Sequence, residues 1–310
     1  MARFNAVECT VQQINRVSSK AAGLRERGGM GYKTVLVELR GKVAKVIMNR
    51  PDKKNAMNPQ LVMDMAQVLD DLRYDDSVAV VVLTGAGNSF CAGMDLKEFF
   101  YDLKGKKPKE YDRIYRLLQE WRGRTLRFFP KPTIAMINGY CFGGAFPNVE
   151  CCDLAIAADE AQFGLSEINF GLFPGGHVSK TLANLFRPRD ALLYGMTGRR
   201  FDGKKAAEIG FVNYSVPLAR LEDEVMELAN EIAGKDPAAL KATKDAYRFS
   251  LDMGWEAAMN YSAAKENELY LVQKGAWVES GIGDFMKGLY KPGMGGHEAI
   301  KKKAKRGSAK

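Results

Sequence analysis

The sequence predicts an α/β protein in which a sheet-and-helix core gives way to a helical C-terminal portion. Three observations predict it. Residues 43–48, 78–83 and 132–137 are runs rich in β-branched and apolar side chains, as in strands buried on both faces. Helical patterns separate them at residues 59–72 and 111–128. Beyond residue 218 the patterns are helical only, at 218–233, 237–251 and 255–274. Strands joined by helices, then helices alone, read as an α/β core carrying helices at its end.

Taken in order, residues 35–38 and 43–48 form a hairpin about Arg40-Gly41. A polar loop, residues 50–55, leads into a helix that starts at Asn58 or Pro59. Proline suits a first helical turn, and Leu61, Met65 and Leu69 line one face behind it. Met57, Met63 and Met65 are expected in the core. Gly85-Ala86-Gly87 follows a strand but has Phe90 where a dinucleotide fingerprint needs its third glycine. After the strand at 132–137, Asn138-Gly139 breaks the pattern and Gly143-Gly144 precedes an apolar stretch, 145–152. Asp153 and Asp159 bracket the next run and are expected to cap or pair; Trp255, opening the last helix, is expected as a packing anchor. The chain divides into a basic extension (1–30), an α/β core (31–220), a helical region (221–290) and a basic tail (291–310).

Charge is uneven. The net charge of +9 belongs to the two ends: residues 301–310 hold six basic residues and no acid, and residues 31–300 balance to zero. No aromatic residue interleaves the basic tail, which argues against nucleic acid. Residues 1–30 are also acid-poor and Arg- and Ser-bearing, a composition that transit peptides share. No apolar run reaches membrane-spanning length and the N-terminus lacks a signal-peptide core, so a soluble cytoplasmic protein is expected. The five cysteines (Cys9, Cys91, Cys141, Cys151, Cys152) lack zinc-type spacing and read as core filling in a reducing compartment. Only His177 and His297 are present, with no G-x-S-x-G, which disfavours a Ser-His-Asp triad. His177 reads as a loop residue or a substrate contact.

The chemistry concentrates in residues 131–176. A glycine pair where a strand hands over to a helix exposes backbone N–H groups that can hold an oxyanion. Gly93 after Ala92 lets the backbone approach a ligand and present the Met94 N–H. Glu167 lies in a weakly charged segment, and a carboxylate among apolar neighbours has a raised pKa suited to proton transfer. Oxyanion donors with one tuned carboxylate point to enolate chemistry on a thioester.

These stretches carry a family resemblance. Residues 90–98 (FCAGMDLKE), KPTIAMING, CFGG, residues 152–157 (CDLAIA) and FGLSEIN resemble the enoyl-CoA hydratase/isomerase (crotonase) superfamily over residues 31–290, and within it the hydroxycinnamoyl-CoA hydratase-lyases. The resemblance implies a crotonase-like spiral of ββα units whose C-terminal helices build a homotrimer or a dimer of trimers. It implies an acyl-CoA substrate, with no cofactor beyond that CoA and no metal. Met94 and Gly144 would supply the oxyanion N–H groups and Glu167 the acid/base. Lys53, Ala92, Gly93, Leu96, Lys97, Ser166 and Phe170 would contact CoA.

Two departures matter. The second glutamate of ordinary hydratases falls at Pro147, which cannot titrate; the hydratase-lyases lack it too. The tyrosines that bind the substrate phenol in those lyases fall at Phe99 and Ala263, with Tyr101 or Tyr261 as the nearest replacements. Phe99, Pro147, Tyr261 and Ala263 are therefore the expected substrate-lining positions. The implied reaction hydrates an aryl-propenoyl-CoA and cleaves it to an aromatic aldehyde and acetyl-CoA. The alternatives are an enoyl-CoA isomerase, a hydratase without cleavage, and a non-catalytic acyl-CoA- or RNA-binding protein.

Overall fold

The computed structural model describes residues 25–26 and 31–288. Most of both basic ends, with Cys9 and His297, lies outside the described residues. The chain opens with β1 (Arg25–Glu26), β2 (Val35–Arg40) and β3 (Val43–Met48), antiparallel neighbours. Helix α1 (Pro59–Arg73) leads to β4 (Val80–Gly85) and β5 (Ser89–Cys91), and α2 (Pro108–Glu120) to β6 (Thr133–Ile137) and β7 (Tyr140–Phe142). Helix α3 (Phe146–Glu150) leads to β8 (Leu154–Ala158) and β9 (Gln162–Gly164). Then come α4 (Val178–Leu185), α5 (Pro188–Thr197), β10 (Phe201–Asp202), α6 (Gly203–Glu208) and β11 (Tyr214–Val216). Helices α7 (Leu218–Ala233), α8 (Pro237–Ser250), α9 (Trp255–Gln273) and α10 (Gly283–Met286) complete the chain.

The strands sort into two sheets. One runs β1-β2-β3-β4-β6-β8-β11, parallel from β3 onward; the other runs β10-β9-β7-β5. Each pass of the chain gives a strand to the first sheet, a short strand to the second, and a helix: β4-β5-α2, then β6-β7-α3. This is the expected spiral of ββα units. Every residue of β3, β4 and β6 is buried, which explains why these runs are predominantly apolar. Lys45 in β3 is tolerated because its ammonium reaches Glu222 at 2.8 Å.

Helix α1 begins as expected, with the Asn58 side chain accepting from Leu61 N at 2.9 Å and a proline in its first turn. Its buried face carries Leu61, Met65, Val68, Leu69 and Leu72. Met63 is 40 % exposed and does not join Met57 and Met65 in the core, because position 63 falls on the other side of the helix. The helix expected at 111–128 starts earlier, at Pro108, and from Trp121 to Leu126 it widens into a π-helical turn. Helix α7 buries Leu221, Val225 and Ala229 one turn apart. Helix α9, packed against α8, buries no residue. Trp255 at its start is 78 % exposed, so it is not a packing anchor among the described residues. No helix among the described residues is long and apolar enough to cross a membrane.

Candidate active site

Two backbone turns from different passes of the spiral meet beside one acidic side chain. The first turn carries Gly93 and Met94. Met57 N donates to Gly93 O at 2.7 Å and Asp95 N to Met57 O at 2.9 Å, strapping it to the loop before α1. Asp95 then caps the π-helical segment Leu96–Lys104 by accepting from Lys97 N and Glu98 N, while its other oxygen takes Arg50 Nη1 at 3.0 Å. Gly93 has φ +91°, and a methyl group built there would stand 2.7 Å from Phe142 O. Only glycine permits both.

The second turn, Gly143–Ala145, lies between β7 and α3. Gly143 has φ +49°, and a methyl on Gly144 would lie 3.6 Å from Met94 N. The Met94 and Gly144 N–H groups therefore sit side by side, and among the described residues neither donates to a turn or loop carbonyl. Paired free N–H groups at the start of a helical turn favour a negative oxygen.

Glu167 sits on the helical turn Ser166–Phe170, directly after β9. Its Oε1 would lie 2.6 Å from a methyl on Gly143, so the carboxylate rests on the backbone of the glycine turn. Its Oε2 is buried without a hydrogen-bond partner among the described residues. Burial pushes its pKa above the ordinary value, offset in part by its own backbone N–H. The other buried acids nearby are engaged, Asp95 with Arg50 and Glu150 with Arg127. Pro147, buried in the first turn of α3, adds no titratable group.

Of the expected CoA contacts, Lys53 is exposed at the end of the turn Pro51–Lys53, and Ala92 N donates to Lys54 O at 2.9 Å, which joins this loop to the Ala92-Gly93 strand end. Leu96 and Lys97 are exposed on the adjoining segment, Lys97 pairing with Asp102 at 2.8 Å. Ser166 and Phe170 flank Glu167, with Phe170 61 % exposed. Phe99 is fully buried, edge-on to Phe100 and Tyr111. Tyr261 and Ala263 lie on α9, the first with its ring 5.4 Å from Phe249 and the second exposed.

Sequence reasoning missed three residues. Asn55, fully buried, accepts from Arg50 N and donates to Ala86 O and Ser89 O, fixing the loop that holds Met57. Arg122, 3 % exposed, donates from Nη1 to Gly144 O at 2.8 Å; burial without a carboxylate lowers its pKa to about 10. Gly123 makes room for the His177 ring, which a methyl at 123 would approach to 2.3 Å. The only trace of this packing in the sequence is a glycine inside a helical pattern.

The fold and site together define a class: a ββα-spiral protein in which two free backbone N–H groups face a desolvated carboxylate, an arrangement for enzymes whose substrates become oxyanions. Comparison with known proteins agrees. The enoyl-CoA hydratase/isomerase family model matches residues 38–287. A hydroxycinnamoyl-CoA hydratase-lyase of Pseudomonas fluorescens is 45 % identical over 264 residues, 85 % of this chain and 96 % of that one. An enoyl-CoA hydratase crystal structure from Bacillus anthracis superposes with a TM-score of 0.75 at 28 % identity, covering 82 % of this chain and 96 % of the other. A probable enoyl-CoA hydratase/isomerase from Mycobacterium abscessus superposes at 0.70 with 31 % identity, covering 77 % and 91 %. The chain belongs to the enoyl-CoA hydratase/isomerase family.

Proposed function

We propose that this enzyme hydrates an aryl-propenoyl-CoA of the feruloyl or p-coumaroyl type and cleaves the product to an aromatic aldehyde and acetyl-CoA. The observation that carries the proposal is the contact of the Glu167 carboxylate with the Gly143 backbone, one residue from the paired Met94 and Gly144 N–H groups. The 45 % identity to a hydroxycinnamoyl-CoA hydratase-lyase supports the substrate class.

The thioester oxygen accepts from Met94 and Gly144, which draws electron density from the β-carbon. Glu167 takes a proton from water as its oxygen bonds to that carbon, and the α-carbon of the resulting enolate takes a proton back. In the second stage the β-hydroxyl loses its proton to Glu167. The bond between the α- and β-carbons breaks, leaving an aldehyde, and its electron pair forms the acetyl-CoA enolate. The same two N–H groups hold that enolate until Glu167 returns the proton to carbon. Water is the only co-reactant. One electrostatic device serves both stages because both pass through the same negative oxygen.

Lys53, Ala92, Gly93, Leu96, Lys97, Ser166 and Phe170 are assigned to the CoA moiety, Lys53 and Lys97 suiting its phosphates. The enzyme is taken to be cytoplasmic, and to be a homotrimer or a dimer of trimers. A second reading, double-bond isomerisation, is favoured by Pro147, which leaves Glu167 as the single carboxylate able to shuttle a proton.

Incubation with feruloyl-CoA, p-coumaroyl-CoA, cinnamoyl-CoA and a 3-enoyl-CoA, followed by mass analysis, separates the readings. Aldehyde plus acetyl-CoA is expected from the aryl esters. A shifted double bond without cleavage would move the assignment to the isomerase.

A further inference from the structure

One face of α2 and its π-helical extension carries Tyr111, Tyr115, Gln119 and Arg122, spaced four, four and three residues apart. At one end Tyr111 meets Phe99 edge-on at 5.5 Å and stacks on Tyr115 at 5.6 Å. At the other end Arg122 donates to Gly144 O at 2.8 Å and to Gln119 Oε1 at 3.2 Å. The row thus runs from the Phe99 wall to the glycine that presents an oxyanion N–H.

Opposite the row is Gly176, in the loop that follows Glu167. A methyl built there would have Arg122 Nη2, Gln119 Nε2 and Tyr115 OH each 3.5 Å away. Three polar ends from successive turns converge on one backbone position that has no side chain. Arg122 Nη2 is bonded to Gln119 Oε1, whereas Gln119 Nε2 has no acceptor among the described residues. The Tyr115 hydroxyl makes no hydrogen bond among the described residues. Arg122 is 3 % exposed, and among the described residues its Nε has no partner and no carboxylate pairs with it. Tyr115 and Gln119 are half-buried, so a ligand can reach their open hydrogen-bonding positions, while Arg122 Nε is buried and open.

We infer that this row reads the aromatic ring of the substrate, with the Tyr115 hydroxyl and Gln119 Nε2 hydrogen-bonding an oxygen substituent on it. A phenolic hydroxyl can donate to or accept from Tyr115 and accept from Gln119. The nearby guanidinium favours an oxygen rather than a cationic substituent. Arg122 is a positioning residue that holds Gln119 and Gly144 in register, so that ring and thioester are located by one side chain. The inference rests on the aryl-CoA reading above and specifies its substrate: a ring bearing a hydroxyl. Polar groups built to bond a hydroxyl reject the analogue that lacks it far more strongly than an apolar pocket can.

The test compares p-coumaroyl-CoA with cinnamoyl-CoA, which differ only by the ring hydroxyl. Tyr115→Phe should lower kcat/KM for p-coumaroyl-CoA about 10- to 100-fold, or about 1.4–2.7 kcal/mol, and change that for cinnamoyl-CoA less than about two-fold. The same preference should appear without turnover, when both esters are titrated into Glu167→Gln, and vanish in Glu167→Gln/Tyr115→Phe. Equal losses for the two esters, or an unchanged preference, overturn the assignment. If wild-type enzyme makes no aldehyde but the titration preference depends on Tyr115, the reaction is misassigned and the ring site stands. For Arg122, Arg122→Met should lower kcat for both esters with KM changed less, and Arg122→Lys should recover part of it; an unaltered kcat in Arg122→Met overturns its positioning role.

Discussion

Glu167 is held where an ionised carboxylate is poorly solvated, with one oxygen buried and unpartnered among the described residues. Its pKa is raised by burial above the ordinary value of 4.5. A carboxyl group with a raised folded-state pKa stabilises the fold fully below its unfolded value and loses that contribution as pH climbs through the folded value. Function asks for the ionised form, so the residue works against stability at neutral pH. Glu167→Gln, which never ionises, should therefore melt above the wild type at pH 8 and level with it at pH 4. The same substitution should reduce turnover about 10²- to 10⁴-fold. Thermal melts at the two pH values beside steady-state rates check both; a variant that is less stable at pH 8 contradicts the account.

At the scale of elements, α3 matters beyond its length because the glycine turn opens it and α8 closes it. The buried Arg248 of α8 donates to the carbonyls of Glu150, Cys151 and Cys152, the last at 2.7 Å. These carbonyls end a helix and have few other donors, and a cation there also suits the helix dipole. Arg248→Met should cost about 2–4 kcal/mol by leaving them unpaired, read as a lower urea midpoint; a loss under about 0.5 kcal/mol would mean that water replaces the guanidinium. Such ties show what the sequence could reveal. Strands β3, β4 and β6 were legible because burial on both faces leaves a predominantly apolar run. Strands β5, β7 and β9, three residues each, were not, since they are too short for a period and are defined by pairing with distant segments. Met94, Gly144 and Glu167 stood out through glycine spacing and an isolated acid. Arg122 and Gly123 did not, because the packing of the His177 ring on a helix glycine 54 positions away is purely tertiary. Met63 was misjudged by treating a methionine of this helix as part of its buried face.

For the whole molecule, the C-terminal helices pose the open packing question. Helix α9 spans 19 residues and buries none of them. Trp255, Leu271 and Met286 are 78 %, 74 % and 77 % exposed, and Met259, Tyr270 and Val272 lie between them. Among the described residues nothing covers these apolar side chains, and such a surface suits the subunit contact of the trimer proposed above. Each such side chain would contribute about 1.5–3 kcal/mol if fully covered, so several together can hold subunits through otherwise weak contacts. Tyr261 and Ala263 ride on the same helix, so its docking would also decide what their surfaces face. The purified enzyme should accordingly show a light-scattering mass of three or six times the 34.3 kDa chain. Trp255→Glu/Leu271→Glu, charging both ends of α9, should shift it toward a single chain and lower the melting temperature. A wild type that runs at 34.3 kDa would mean that these side chains face water in solution, and that subunit assembly does not explain them.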